Sequence, residues 1–259
     1  MKLTISLAQM ESIPGQPEAN LEKTCHLTVE AGRRGSDIVI FPELWLTSFE
    51  LKEAERLAIR PGEGFFAQLA KLSLENGLYI TGSMLLSLEG RYFNSAPLFS
   101  PAGECLGWYS KVHLFSLARE GDYLTSGQDF PLFDTPWGRS AIAICYDLRF
   151  PELFRKYALA GAKIVFLPAG WPHPRLEHWR TLLAARAIEN QMFIAACNHV
   201  GSFRDMRFFG HSTICDPWGD RAVEAGETEA LLTVQIDLSK VEEVRNYIKV
   251  FSDRRPELY

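Results

Sequence analysis

The chain has 259 residues, near the upper end of the range for one domain, and it reads as a single domain over 1–259. Apolar residues make up 47% and charged residues 23%, ordinary values for a soluble globular protein. A formal net charge of −5 provides no basic field for a nucleic-acid partner, and no apolar run approaches a membrane span.

Leu3 to Ala8 reads as a strand and Gln9 to Pro17 as a loop. Asn20 is placed to cap a helix that turns Leu21, Cys25, Thr28 and Val29 to the core and stops near Gly32 or Gly35. Asp37-Ile-Val-Ile-Phe41 is an apolar strand of the kind covered on both faces, halted by Pro42, so Glu43 lies just past its C-terminal end. Helices are expected over Leu51 to Ala58 and Gly64 to Glu75, the latter stopped by Asn76-Gly77. Leu78 to Leu86 reads as one strand, and Tyr92 to Tyr109 as a hairpin turning at Ser100-Pro-Ala-Gly103. The same turn chemistry returns at Asp134-Thr-Pro-Trp-Gly138 and Asp216-Pro-Trp-Gly219.

Ala141 to Ile144 is a further apolar strand, and Pro151-Glu152 opens a helix. Cys145 sits on the turn between them, where a nucleophile is exposed on a rigid backbone and the following helix start lowers a thiol pKa. Ala162 to Pro168 repeats the strand-then-proline pattern, and Leu176 to Asn190 is helical. Met192 to Asn198 is a buried strand, Phe208 to Glu224 a hairpin, and Ala230 to Ile236 a last strand. Ser239-x-x-Glu242 has capping-box spacing, and the tail from Phe251 shows no core face. The five cysteines, at 25, 105, 145, 197 and 215, have no zinc or redox spacing. Free thiols imply a reducing compartment, and the N-terminal apolar run is too short for a signal peptide, so a cytoplasmic protein is expected. Pro172 and Pro174 break any helix that would pair His173 with His178, so no metal site is expected.

Three groups occupy unusual places: Glu43 beyond a buried strand, Lys111 within the apolar stretch Gly107 to Phe115, and Cys145 on its turn. An ammonium in that setting must snorkel or be paired. If the three converge, Glu43 accepts the thiol proton and later returns it to a leaving amine. Lys111 and a backbone N–H at the Cys145–Tyr146 turn stabilise the oxyanion, and a thioester forms and is hydrolysed.

Phe-Pro-Glu43, Lys111-Val-His-Leu-Phe and Cys145-Tyr-Asp-Leu-Arg-Phe-Pro-Glu resemble, in order and separation, the three motifs of the nitrilase superfamily of carbon–nitrogen hydrolases. The resemblance covers nearly the whole chain. It implies a four-layer α-β-β-α sandwich of two mixed sheets flanked by helices, pairing across its helical face into a homodimer. It implies no cofactor, and a second carboxylate that positions Lys111 or assists the water step, for which Glu120 is the match. Gly170-Trp-Pro and His178 to Gln191 are most similar to the ω-amidase branch, which hydrolyses the side-chain amide of 2-oxoglutaramate or 2-oxosuccinamate. Such a substrate needs a cation for its far carboxylate, and Arg149 is the candidate, with Tyr146 and Trp171 walling the pocket. His199 stands where related sequences often carry arginine, and substrate contact there would alter specificity. The rivals are a deaminated-glutathione amidase, a nitrilase, an N-carbamoyl amide hydrolase, an ammonia-supplying subunit of a synthetase and a non-catalytic interaction protein.

Overall fold

The computed structural model describes residues 1–258 and contains two mixed sheets packed face to face, each covered outside by helices. The first half of the chain supplies β1 (Lys2–Gln9), α1 (Pro17–Arg33), β2 (Ile38–Ile40), α2 (Ala54–Leu57), α3 (Gly64–Asn76), β3 (Tyr79–Thr81), β4 (Met84–Leu88), β5 (Arg91–Phe99) and β6 (Cys105–Ser110). The second half supplies β7 (Leu132–Thr135), β8 (Gly138–Ile142), α4 (Pro151–Leu159), β9 (Ile164–Ala169), α5 (Leu176–Asn190), β10 (Phe193–Asn198) and β11 (Val200–Phe203). It continues with β12 (Met206–Phe209), β13 (Thr213–Cys215), β14 (Arg221–Glu224), β15 (Ala230–Asp237) and α6 (Ser239–Tyr247). One sheet runs β15-β1-β2-β3-β5-β4 with β6 on β5, the other β14-β13-β10-β9-β8-β7, and β11 pairs with β12 apart from both.

Side-chain alternation explains the layers. Ile38 and Ile40 of β2 point into the cluster between the sheets, whereas Val39 and Phe41 join the cluster beneath α1 and α3. A strand covered on both faces has no polar side, which is why β2 reads as an unbroken apolar run. On the opposite side, Leu153, Phe154 and Tyr157 of α4 and Trp179, Leu183 and Ala187 of α5 close over the second sheet.

Several departures from the sequence reading have local causes. The stretch from Leu78 is two strands, broken at Gly82, because a Cβ there would lie 2.8 Å from Phe41 and Trp45. At the same break Ser83 Oγ accepts the Leu44 N–H at 2.9 Å, so the interruption anchors the turn that follows Glu43. Asn20 does not cap α1, which starts at Pro17 instead. Its side chain bonds the backbone of Ile13 and the Leu46 carbonyl, and Val29 faces solvent. Leu51 to Ala58 is a 3-10 turn, Leu51–Glu53, leading into the single turn of α2. The span from Phe208 holds the end of one hairpin and all of another, since β11 pairs with β12 and β13 with β14. Asp237, not a Ser239–Glu242 box, accepts the Ser239 N–H and hydroxyl, while Glu242 pairs with Lys163. In the tail, Phe251 packs on the core beneath Arg155 and Arg245.

Candidate active site

The loops beyond β2, β6, β8 and β9 meet at one end of the sandwich. Glu43 follows β2, Lys111 follows β6, Cys145 follows β8, and Gly170 and Trp171 follow β9. Together they surround a narrow cleft.

At its floor Lys111 Nζ donates to Glu43 Oε1 at 2.7 Å and to Glu120 Oε1 at 2.8 Å. All three side chains are at most 2% exposed. An ammonium has three protons, so one is left for the cleft. Burial alone favours the neutral amine, but Glu120 and Glu43 outweigh it and raise the lysine's pKa, so Lys111 is a fixed cation. Burial pushes the Glu120 carboxyl above its usual range, against the pull of Lys111. The other Glu120 oxygen accepts the Phe115 N–H at 2.9 Å, which ties the loop after Lys111 to the lysine itself.

Glu43 is held from every side. Asn94 Nδ2 donates to its Oε1 at 2.9 Å, and the Gly170 N–H to its Oε2 at 3.0 Å. The Cys145 thiol lies in the field of the same carboxylate and of Lys111. His199 does not enter the cleft. Buried behind Glu43, it donates from Nε2 to the Glu43 carbonyl at 2.6 Å, and burial keeps its pKa below the ordinary value. Its bearing on specificity is therefore indirect. Gly170 is glycine because a Cβ would sit 2.2 Å from the Phe49 ring, which forms the cleft wall.

The turn carrying the thiol is strained. Cys145 has φ 43°, in the left-handed region that costs an L-residue roughly 1–2 kcal/mol. Asp147 compensates with a rigid mount: it accepts the Ile144 N–H (2.8 Å), the Tyr109 hydroxyl (2.8 Å), and both the backbone N–H (3.2 Å) and Nδ1 (2.7 Å) of His113. Tyr109 and His113 flank Lys111, so one carboxylate locks the cysteine turn to the lysine segment. The expected lowering of the thiol pKa by a helix start is not found. A 3-10 stretch, Cys145–Arg149, separates the thiol from α4. Burial, reinforced by Glu43, pushes the thiol well up, and Lys111 only partly offsets this.

Tyr146, Arg149 and Trp171 all line the cleft. Arg149 makes no ion pair with Glu152 or Asp147; its guanidinium lies 4.8 Å from the Trp171 ring and 3.5 Å from His178 Nδ1. The sequence reading missed Asn94, Arg175, and the wall residues Phe49, Phe115 and Met206. Asn94 lies mid-strand in β5, buried in an otherwise small and apolar run. An unpaired amide in such a place was the available signal.

A thiol, a carboxylate and an ammonium converging at the strand ends of an α-β-β-α sandwich define a class, the carbon–nitrogen hydrolases of the nitrilase superfamily. The family model for carbon-nitrogen hydrolase matches residues 4–246, and the chain belongs to that family. It is 40% identical over 260 residues, all of both chains, to 2-oxoglutaramate amidase of Bacillus subtilis (strain 168). It is 32% identical to omega-amidase NIT2 of Bos taurus over 272 residues, covering 100% of this chain and 96% of that one. Among solved structures it resembles XC1258 of Xanthomonas campestris, a CN-hydrolase superfamily protein with an arsenic adduct in its active site. That match has TM-score 0.92 and 30% identity and covers 98% of each chain.

Proposed function

We propose that this protein is an amidase of the ω-amidase type. It hydrolyses the terminal amide of a small amide that carries a carboxylate at its other end, 2-oxoglutaramate or 2-oxosuccinamate, to the acid and ammonia. The observation that carries the reading is the buried Lys111 fixed between Glu43 and Glu120, lining one cleft with the Cys145 thiol and Arg149. The full-length likeness to a 2-oxoglutaramate amidase supports the substrate class.

The geometry supports the following order of events. Glu43 takes the thiol proton as Sγ bonds to the amide carbon, so the raised thiol pKa is met by direct transfer and no free thiolate is needed. The carbonyl oxygen becomes an oxyanion facing the third Lys111 proton and the Tyr146 backbone N–H. Collapse breaks the C–N bond, and protonated Glu43 gives its proton to the departing nitrogen, releasing ammonia and leaving a Cys145 thioester. Water then attacks the thioester while Glu43 accepts its proton; Glu120 keeps Lys111 aimed at the oxyanion. The C–S bond breaks, the acid departs, and the proton returns to sulfur.

Five free thiols suit a reducing compartment, which we assign to the cytoplasm. The family model's extent supports one domain. We also assign a homodimer across the face of α4 and α5. Leu159, Ile188, Trp218, Tyr247 and Ile248 are exposed on and beside that face.

Ammonia release from 2-oxoglutaramate, glutamine, deaminated glutathione, a nitrile and a carbamoyl amino acid tests the reading. The 2-oxo amide should have the highest kcat/KM, and Cys145→Ala should remove all turnover while retaining the fold. A clear preference for any other compound, or residual turnover near wild type, overturns it.

A further inference from the structure

Arg175 lies between β9 and α5, at the N-terminal boundary of α5, and lines the same cleft as Arg149. Its location is unfavourable for the helix. A cation at a helix N-terminus opposes the macrodipole, and an acidic or small polar residue would serve better there. A residue that breaks a local rule without structural gain points to function. Among the described residues, neither Arg149 nor Arg175 has a carboxylate partner. By contrast Arg180, one turn further along α5, is paired with Glu224 and Glu177.

Trp171 joins the two. Its ring carries the Arg149 guanidinium at 4.8 Å, and its indole N–H donates to the Arg175 carbonyl at 3.2 Å. The Trp171 backbone is clamped by Asn198, which accepts its N–H at 2.6 Å and donates to its carbonyl at 3.1 Å. On the other side the Arg175 guanidinium sits 5.8 Å from the Phe115 ring, whose N–H is bound by Glu120. Both cations are thus seated on aromatic walls braced to the catalytic residues. At the floor, the charges of Glu43 and Glu120 are already shared with Lys111. The two rim guanidiniums are left uncompensated.

We propose that Arg175 is a specificity-determining residue that acts with Arg149 as a two-cation rim: it binds the far carboxylate of the amide and repels an ammonium at the adjacent carbon. This deepens the reading above and rests on it. A 2-oxo acid presents only the carboxylate and a carbonyl acceptor to the rim, so both guanidiniums donate. Glutamine, with the same amide and carboxylate, places a positive charge against two others. The rim therefore separates an oxo acid amide from its amino acid counterpart by charge, not size.

The test uses the full chain with Arg175→Gln and Arg175→Lys, and four amides: 2-oxoglutaramate, glutaramate (the same carboxylate without the oxo group), glutamine and butyramide. Losing a charge-assisted hydrogen bond should lower the kcat/KM ratio of carboxylated to neutral amide by about tenfold to a hundredfold in Arg175→Gln, mainly through KM. Arg175→Lys should retain much of the preference, and the margin of 2-oxoglutaramate over glutamine should narrow in Arg175→Gln. The thermal midpoint of Arg175→Gln should not fall, because a cation has left a helix start. Equal losses on all four amides with a lowered midpoint would mean a structural role and overturn the proposal, as would unmoved ratios. If wild type ignores 2-oxoglutaramate but the glutaramate-to-butyramide ratio collapses in Arg175→Gln, the rim stands and the 2-oxo reading falls. A wild type with no preference for carboxylated over neutral amides sinks the rim.

Discussion

In the proposed mechanism Cys145 is a weak nucleophile that acts without being ionised. Its thiol is pushed well above the ordinary value by burial and by Glu43, so essentially none is thiolate at neutral pH. That mechanism starts from the neutral thiol and the Glu43 carboxylate, with Lys111 remaining cationic. The mechanism requires Glu120 to be charged so that it holds Lys111, and burial raises the Glu120 pKa. As pH falls, the rate should therefore be lost above the usual carboxylate range. As pH rises, a thiol with a raised pKa keeps its proton, so kcat/KM should pass through the usual cysteine range without a break. Alkylation of Cys145 by iodoacetamide, followed from pH 6 to 10, should likewise lack an inflection near about 8.5. An inflection there would show a freely titrating thiol and remove the case for direct proton transfer to Glu43.

Among the elements, the segment Tyr109 to His113 and the turn Ile144 to Asp147 behave as one piece. Four donors converge on Asp147, which is fully buried. Asp147→Asn keeps the shape but turns an amide N–H toward groups that donate. Loss of a charged acceptor of this kind costs roughly 2–3 kcal/mol, read as a lower denaturation midpoint. Because the same carboxylate spaces Lys111 from Cys145, kcat should fall at least tenfold with KM little changed. A destabilised variant with wild-type kcat would show that Asp147 only supports the fold. These contacts mark how far the sequence could be read. Glu43, Lys111 and Cys145 were legible because each stands beside an apolar strand where a charge or a turn-borne thiol is unusual, whereas Glu120, in a loop, was reached only through the resemblance to the family's motifs. The elements carrying Glu43 and the Gly170–Trp171 loop were legible too, since β2 and β9 are apolar runs that reach a proline. Asn94, Arg175 and the break at Gly82 were not. Each is explained by a partner distant in sequence: Asn94 by Glu43, Arg175 by Phe115, Gly82 by Phe41 and Trp45.

At the scale of the whole molecule, the side opposite the first sheet's helices carries the apolar surface that lacks a cover. Ile188 of α5 is 51% exposed and touches Gly219; the next-door Trp218 ring lies 5.8 Å from that of Tyr247, itself 78% exposed. Ile248 adjoins through Gln191, which donates to its carbonyl at 2.9 Å. Contiguous rings and branched side chains of this kind mark an association surface, whereas single exposed residues such as Leu117 do not. The same helix backs the Cys145 turn, because Arg186 on α5 donates from Nε to the Leu148 carbonyl at 3.0 Å. Association would thus press α5 onto the strained turn that holds Cys145. Sedimentation should give wild type about twice the 29.3 kDa chain mass, and Trp218→Glu combined with Tyr247→Glu the single-chain mass. Neither residue touches the cleft, so any loss of kcat in the monomeric double variant must travel through α5. We expect several-fold lower kcat with unchanged preference for carboxylated amides, since the rim arginines are braced by Trp171 and Phe115 on the other side of the turn. A wild type that sediments as a single chain at micromolar concentration would refute the dimer. Full activity in the monomeric variant would refute the coupling.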